Sequence, residues 1–235
     1  MHPLTVIRDS LCFFKSHLPA IARACLPLIV LHAICAALLE QIDDDGKVLI
    51  FSSLLDLMFA PLYTAALFLF LDAHRQGQQP SFKALASAAM SIWPMYVGLM
   101  VLLTLIFLAG TLLLVIPGIW IAIRLVVAPP LLVVKGLGLL ESISESFRLT
   151  RGQFWPIFAS VVGAALPIMV LMMITYLVYP GPRHMVPAVV IDSLCLFMGL
   201  LISTVIYRMW TELTEKQPDL PSDGPKEGAG DQPVA

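Results

Sequence analysis

Charged side chains are scarce in this 235-residue sequence. Aspartate, glutamate, lysine and arginine together make up 13% of it, against roughly 25% in ordinary globular domains. So few charges cannot cover the surface of a water-soluble protein of this size, whereas hydrophobic residues amount to 59%. The composition therefore excludes an ordinary soluble domain and predicts a protein whose surface is largely covered by lipid.

The sequence also lacks the motifs of common enzyme and metal-binding classes. It contains no Walker loop, no HExxH, no GxSxG and no GxGxxG. Its four cysteines form no CxxC pair, and its five histidines are scattered along the chain. We therefore expect no enzymatic activity, no cofactor and no metal site. The formal net charge of −2 gives no reason to expect a nucleic-acid partner.

Long apolar runs are what the sequence has in abundance. A helix needs about 20 apolar residues to cross the hydrocarbon core, and five runs meet this length directly. A sixth run is shorter and contains Arg124 and the Pro129-Pro130 pair. The fold class is therefore predicted to be all-α, a polytopic membrane helix bundle with six transmembrane helices. These cover residues 21–39, 48–71, 93–116, 119–134, 155–179 and 186–209.

The distribution of basic residues orients these helices. Loops on the cytoplasmic side of membrane proteins are enriched in lysine and arginine. With the N-terminus inside, the outer loops carry only Lys47 and Arg183, and the first outer loop is acidic. Five crossings in place of six would move Arg148 and Arg151 to the outside. The pattern thus predicts six crossings with both termini in the cytoplasm.

A similar junction precedes each odd-numbered span. An amphipathic stretch leads to a bulky residue, a proline and the apolar run, at Leu18-Pro19, Trp93-Pro94 and Trp155-Pro156. Apolar residues at steps of three and four are typical of helices that lie in the membrane interface. We therefore expect three hairpins, each preceded by an amphipathic interfacial helix. The opposing interpretation is that tryptophan and proline are common at interfaces in any case.

Three ionisable residues lie inside predicted spans: Asp56, Arg124 and Asp192. Each follows the outer start of an even-numbered span by five to eight residues, which places all three roughly 7–12 Å from the outer edge. They are the candidate intramembrane polar cluster, with Arg124 between two carboxylates. Two interpretations remain open: a solute or ion site, or a structural ion pair with side chains that extend to the headgroups.

The end of the sequence has a different composition. Residues 211–235 contain four prolines and three glycines and few apolar side chains. Such a segment cannot bury enough apolar surface to fold. We predict an integral membrane domain over residues 1–210 and a disordered cytoplasmic tail over residues 211–235.

One part of the sequence resembles a recurring signature of bacterial membrane proteins. It comprises VIPGIWIAIR at residues 115–124, Ala128-Pro129, the stretches 141–147 and 149–152, and Trp155. These features resemble the YciC family of uncharacterised inner-membrane proteins, which implies a bacterial inner membrane but no established activity. The membrane portion of some glycerophosphodiester phosphodiesterases is similar. Their soluble catalytic domain has no counterpart in this sequence, so that activity is not carried over.

Two classes of function follow from these features. The first is a non-enzymatic role in envelope organisation, through contacts with membrane lipids and with other inner-membrane proteins. The amphipathic stretches and the missing catalytic motifs favour it. The second is a transporter or channel for a small solute or lipid, which the intramembrane charges and the proline break in the fourth span favour.

Overall fold

A computed structural model describes residues 3–42, 48–78, 80–113, 115–178 and 185–215, and within these ranges the regular secondary structure is α-helical. This organisation confirms the predicted all-α fold class. The helices are α1 (Pro3–Ser16), α2 (Leu18–Ile42), α3 (Val48–Arg75), α4 (Phe82–Leu113), α5 (Val115–Leu125), α6 (Ala128–Lys135), α7 (Leu139–Leu149), α8 (Phe154–Val178) and α9 (Met185–Glu215).

Six stretches of helix are long and apolar enough to cross a bilayer, as predicted. Five are the single helices α2, α3, α4, α8 and α9, and the remaining stretch is formed by α5 and α6 together. Large apolar side chains face outward along them, with Leu112 79% exposed and Leu177 65% exposed. Apolar surface of this extent suits lipid rather than water. The chain is therefore a multi-pass membrane protein.

The fourth crossing is interrupted between α5 and α6. Pro129 and Pro130 have no N–H group to donate to the carbonyls of Leu125 and Val126, so the α5 helix cannot continue through them. The prolines instead occupy the first turn of α6, where a missing N–H is tolerated. Gly136 ends α6 in the left-handed region at φ 66° and donates its N–H to the Leu132 carbonyl at 3.1 Å.

The hairpins close into a bundle around α6. Helices α2 and α3, α4 and α5, and α8 and α9 pack as hairpins, and α9 also packs on α2 and α3. The short helix α6 lies against α3, α4, α7 and α9, and its residues Leu131, Leu132 and Val133 are buried. The break in the fourth crossing is thus at the centre of the bundle rather than on its surface.

Three helix ends meet at one end of the bundle. The His17 ring, just before α2, lies 4.3 Å from the His74 ring near the end of α3. Arg75 pairs with Glu215 at the end of α9, with 2.9 Å between nitrogen and oxygen. We call this region, from His17 to Glu215 across the three helix ends, the basic end.

The expected threefold pattern is only partly present as separate helices. Helices α1 and α7 are distinct from α2 and α8, but α4 runs without interruption through Trp93 and Pro94. The Trp93 indole donates to the Met58 carbonyl of α3 at 2.8 Å, which ties this junction to the neighbouring helix. The second unit therefore has one long helix where an interfacial helix followed by a span is expected.

The two separate amphipathic helices turn one face toward protein. Helix α1 packs on α8 and α9 and buries Val6, Ser10 and Phe14. Helix α7 packs on α5 and α6 and buries Ser142 and Ser146 together with Leu149 and the adjoining Thr150, while Leu140 is 74% exposed. The outward apolar residues remain available to lipid, but the buried faces carry hydroxyl groups that the apolar periodicity does not reveal.

The predicted tail begins too early. Helix α9 continues to Glu215 because Leu213 is buried at its end and Glu215 pairs with Arg75. Residues 211–215 therefore belong to the helical bundle, and the rest of the predicted tail lies outside the described residues.

Candidate functional site

The three predicted site residues lie on three different helices. Asp56 is on α3, Arg124 on α5 and Asp192 on α9. Helices α3 and α9 pack on each other, but α5 is not among the helices that pack closely on either of them. Arg124 thus lies on a helix that does not pack closely on the helix of either carboxylate.

The Arg124 guanidinium binds the C-terminal end of α7. Its Nη2 donates to the Phe147 carbonyl at 3.0 Å and its Nη1 donates to the Thr150 carbonyl at 3.4 Å. The last carbonyls of a helix have no partner within the helix, and a cation is favoured there by the helix dipole. Arg124 therefore serves as a side-chain cap for α7.

Two aromatic rings enclose the same guanidinium. Its central carbon lies 5.1 Å from the centre of the Trp120 ring and 5.5 Å from that of Phe147. Both distances are within the range of a cation–π interaction, which gains strength as water is removed. Arg124 thus has favourable contacts for its charge without an acidic partner.

The backbone of Arg124 is engaged by the same helix. Its carbonyl accepts hydrogen bonds from the Ser146 hydroxyl at 2.8 Å and the Thr150 hydroxyl at 3.2 Å. This carbonyl is among the last four of α5, which have no partner within the helix. The Arg124 side chain thus donates hydrogen bonds to α7, and the Arg124 carbonyl accepts hydrogen bonds from the Ser146 and Thr150 hydroxyls. Both parts of this residue join α5 to the α7 segment. We call Arg124, Ser146, Phe147 and Thr150 the Arg124 clasp.

The local sequence of α7 suits this role. Ser142, Ser146 and Thr150 recur at steps of four and therefore share one face of the helix. At the other end of α7, the Glu141 carboxylate accepts a hydrogen bond from the Gly138 N–H at 3.1 Å. A carboxylate at the start and a guanidinium at the end both complement the helix dipole. This explains why a short helix with several serines is stable at this position.

Asp56 has a histidine partner that sequence reasoning missed. The His32 Nε2 lies 3.2 Å from the Asp56 Oδ1. The His32 side chain is 4% exposed, whereas that of Asp56 is 62% exposed. His32 also stacks on Phe59, with 5.4 Å between ring centres. The pair thus joins a buried imidazole on α2 to a carboxylate at the outer surface of α3.

A signal for this pair is present in the sequence. Helix α2 ends ten residues after His32 and helix α3 begins eight residues before Asp56, so the two residues lie at similar distances from the connection between the helices. Residues equidistant from the turn of an antiparallel hairpin meet side by side. The pairing of His32 with Asp56 is not evident from the positions of the histidines alone, because it depends on how α2 and α3 are aligned.

Asp192 lies in the first third of α9 and is half-buried. Its neighbour Ser193 is buried, at 8% exposure. Helix α9 packs on α2, α3 and α8. Asp192 thus lies on a helix that packs against the first hairpin, whereas the Arg124 clasp joins α5 and α7.

A cavity of about 390 Å³ lies at the basic end. It is formed where the start of α2 meets the connection between the end of α3 and the start of α4. Its polar lining includes His17, Arg23, His74 and Gln78. Its apolar lining is Ala20, Ala24, Phe70, Pro80, Phe82 and Leu85. None of these residues was singled out from the sequence, because the cavity exists only where the three elements converge.

No protein family, curated protein or solved structure matches this chain.

Proposed function

We propose that this protein is a bacterial inner-membrane protein, similar to the YciC family, with a non-enzymatic role in envelope organisation. It acts through contacts with membrane lipids and other inner-membrane proteins, and both of its termini are cytoplasmic. The Lys and Arg pattern supports that orientation, and the outward apolar side chains supply the lipid contacts.

The observation that carries the proposal is the Arg124 clasp. An intramembrane arginine is by default a candidate for a transport site. Here its guanidinium is bound by backbone carbonyls of α7 and enclosed by two aromatic rings. These contacts use the charge of Arg124 to join α5 and α7. They favour a structural role for Arg124, which was the main reason in the sequence to consider transport.

A second candidate function is transport of a small solute or ion. The exposed Asp56 carboxylate beside the buried His32 imidazole favours it, because a charge facing lipid without water is costly. A water-filled path or a transported cation would relieve that cost. This candidate therefore depends on Asp56 rather than on Arg124.

The two candidates are separated by measurements on the intact chain. The protein is extracted in polymer-bounded native lipid discs, and the retained lipids and proteins are identified against an unrelated six-span protein treated in the same way. It is also reconstituted into vesicles for proton, sodium and potassium flux. The proposal predicts selective enrichment of lipids or proteins, with flux no higher than in protein-free vesicles. Flux that is abolished by Asp56→Asn would contradict it and support transport.

A further inference from the structure

We propose that the cavity at the basic end binds the phosphate of an anionic membrane phospholipid, with one acyl chain lying along α2. The inference rests on the proposed function, in which lipids are partners, and it names the site and the lipid chemistry. It is carried by the cavity, by the unpaired Arg23 at its wall, and by an apolar groove that shares Arg23 with the cavity.

The polar part of the cavity is suited to an anion. Arg23 is exposed at the cavity and forms no ion pair with any residue that the structure describes. His17 and His74 line the same space. An unpaired guanidinium can bind a phosphate through two parallel hydrogen bonds, which is the recognition that arginine provides best.

The acidic groups of the basic end are engaged elsewhere. Asp72 accepts hydrogen bonds from the Tyr207 hydroxyl at 3.1 Å and from the Gln76 amide at 2.7 Å. Glu215 is paired with Arg75. None of these carboxylates lines the cavity. The lining is therefore cationic without internal neutralisation, which favours a ligand that brings negative charge.

Hydrogen bonds orient the His17 ring. Its Nδ1 lies 3.0 Å from the Phe13 carbonyl oxygen and 2.9 Å from the Ser16 hydroxyl oxygen. The Ser16 hydroxyl donates to the same carbonyl at 2.9 Å. Because Nδ1 is engaged by these neighbours, Nε2 is the ring nitrogen that remains for a ligand in the cavity.

Stacked rings hold the two histidines at the cavity wall. The guanidinium of Arg208 lies 5.4 Å from the Phe13 ring centre, Phe13 stacks on His17 at 4.3 Å, and His17 meets His74 edge to face at 4.3 Å. This row links α9, α1, the residue before α2, and α3. Packing thus holds the two histidines at the cavity wall before a ligand binds, which lowers the entropic cost of binding.

An apolar groove on α2 shares Arg23 with the cavity. It has a volume of about 380 Å³ and is lined by Ala22, Arg23, Leu26, Pro27 and Val30. Pro27 interrupts the hydrogen bonds of α2, and Leu26 is 40% exposed beside it. Arg23 belongs to both spaces, so a phosphate and a hydrocarbon chain can be bound side by side.

The position along the helix agrees with a phospholipid. Arg23 lies five residues after the start of α2 at Leu18, which is roughly 7–8 Å along the helix axis. That distance places the guanidinium at headgroup level if the basic end marks the membrane surface. A free phosphate or a nucleotide would leave the apolar groove empty, whereas a phospholipid fills both spaces.

The test uses the full-length protein in a nonionic detergent and measures lipid binding by native mass spectrometry. The probes are phosphatidylglycerol, a diacylglycerol with the same chains, and glycerol phosphate. The proposal predicts that phosphatidylglycerol binds best, since the other two fill only one of the two spaces. Arg23→Gln is expected to weaken phosphatidylglycerol binding about tenfold or more, because it removes charge-assisted hydrogen bonds.

Two further variants make the test specific. Arg151→Gln removes the same charge at the α7–α8 connection and should leave binding unchanged. Leu26→Trp fills the acyl groove without altering the cationic wall, and it should also weaken phosphatidylglycerol binding. Thermal unfolding of each variant establishes that it is folded, and Leu26→Trp keeps the test valid if Arg23→Gln is unstable.

Three results would overturn the site. These are equal binding by the Arg23 and Arg151 variants, binding of diacylglycerol as strong as that of phosphatidylglycerol, and displacement by glycerol phosphate at concentrations similar to those of the lipid. If native discs still show selective lipid enrichment in any of these cases, the site is wrong and the proposed function stands. If the native discs show no selective enrichment of lipids or proteins, the proposed function fails as well.

Discussion

At the residue scale, Arg124 takes part in hydrogen bonds to carbonyls at the ends of two helices, α7 and α5. Its guanidinium binds carbonyls at the end of α7, and its own carbonyl receives the Ser146 and Thr150 hydroxyls at the proline break. Backbone groups without partners are expensive in a bilayer, where water cannot replace them. A basic residue in a span is therefore explained here by local hydrogen bonding rather than by a carboxylate partner.

Replacing this side chain should destabilise the bundle. Arg124→Leu removes the donors to Phe147 and Thr150 and the cation–π contacts. We expect a loss of about 2–4 kcal/mol in unfolding free energy, given the usual strength of hydrogen bonds to charged groups. Arg124→Lys retains the charge but not the planar fork, so it should give an intermediate loss. The measurement is denaturant unfolding in detergent.

The control for that experiment is Arg151→Leu. Arg151 is exposed and lies just beyond the clasp in sequence, so its replacement should change stability by less than about 0.5 kcal/mol. A similar loss for both variants would show that total charge, and not the clasp, determines the stability.

The His32–Asp56 pair should show energetic coupling. His32→Phe leaves the Asp56 carboxylate without its partner in the span, and it should destabilise the protein. Adding Asp56→Leu should restore part of the loss, because no unpaired charge then remains. The coupling energy in a double-mutant cycle is expected to be on the order of 0.5–3 kcal/mol.

The cycle should be run in lipid nanodiscs. In detergent micelles, water can reach the exposed Asp56 side chain and weaken the effect. Additive changes in nanodiscs would show that the 3.2 Å contact contributes nothing to stability and would remove the pair as a candidate site.

At the scale of elements, the α4–α5 hairpin depends on close backbone approach. A Cβ atom at Gly118 would lie 2.6 Å from the Thr111 Oγ1 and 3.0 Å from the Thr111 nitrogen. A Cβ atom at Gly110 would lie 3.1 Å from the Gly118 Cα. Small residues at such contacts let transmembrane helices pack closely. The tight hairpin also sets the position from which α5 reaches α7.

Gly118→Ala should therefore separate α4 from α5. The clash involves backbone atoms that cannot move independently, and we expect a loss of about 1–3 kcal/mol in unfolding free energy. Gly199→Ala in α9 is the matched control, since a Cβ there meets nothing within 4 Å. It should be neutral or slightly stabilising because alanine favours helix. Equal effects on thermal unfolding at both sites would contradict close packing at Gly118.

At the scale of the whole molecule, the start of α2 and the end of α9 lie at the same end of the bundle. The His17–His74 contact and the Arg75–Glu215 ion pair bring the start of α2 and the ends of α3 and α9 together. This agrees with an even number of crossings between α2 and the end of α9. Charge asymmetry then predicts which side that is.

Reporter fusions test this orientation. Fusions after Asp44 and Met185 should be active in a periplasmic reporter, and fusions after Gln78, Gly152 and Gly230 in a cytoplasmic one. The reason is the excess of Lys and Arg on the predicted inner side. Periplasmic activity at Gly152 would show that α5 and α6 together do not cross the membrane, and it would replace the six-span topology with a five-span one.

The sequence by itself determined the class of protein and its crossings. Apolar length and composition depend only on neighbouring residues, so the runs over α2, α3, α4, α8 and α9 could be recognised without tertiary information, and the Pro129-Pro130 break could be placed within the fourth. The same reasoning located the intramembrane charges, but it did not predict that Arg124 binds carbonyls at the end of α7. It also ended the bundle before Leu213.

Only the tertiary structure decided what the polar groups bind. A guanidinium can donate to a carboxylate or to any unpaired carbonyl, and the choice depends on how α7 folds back against α5 after Gly136. In the same way, His32 meets Asp56 through the register of one hairpin. Arg23 and His17 line one cavity with His74, which is more than 50 positions away. Local periodicity carries no information about pairings between residues so far apart in sequence.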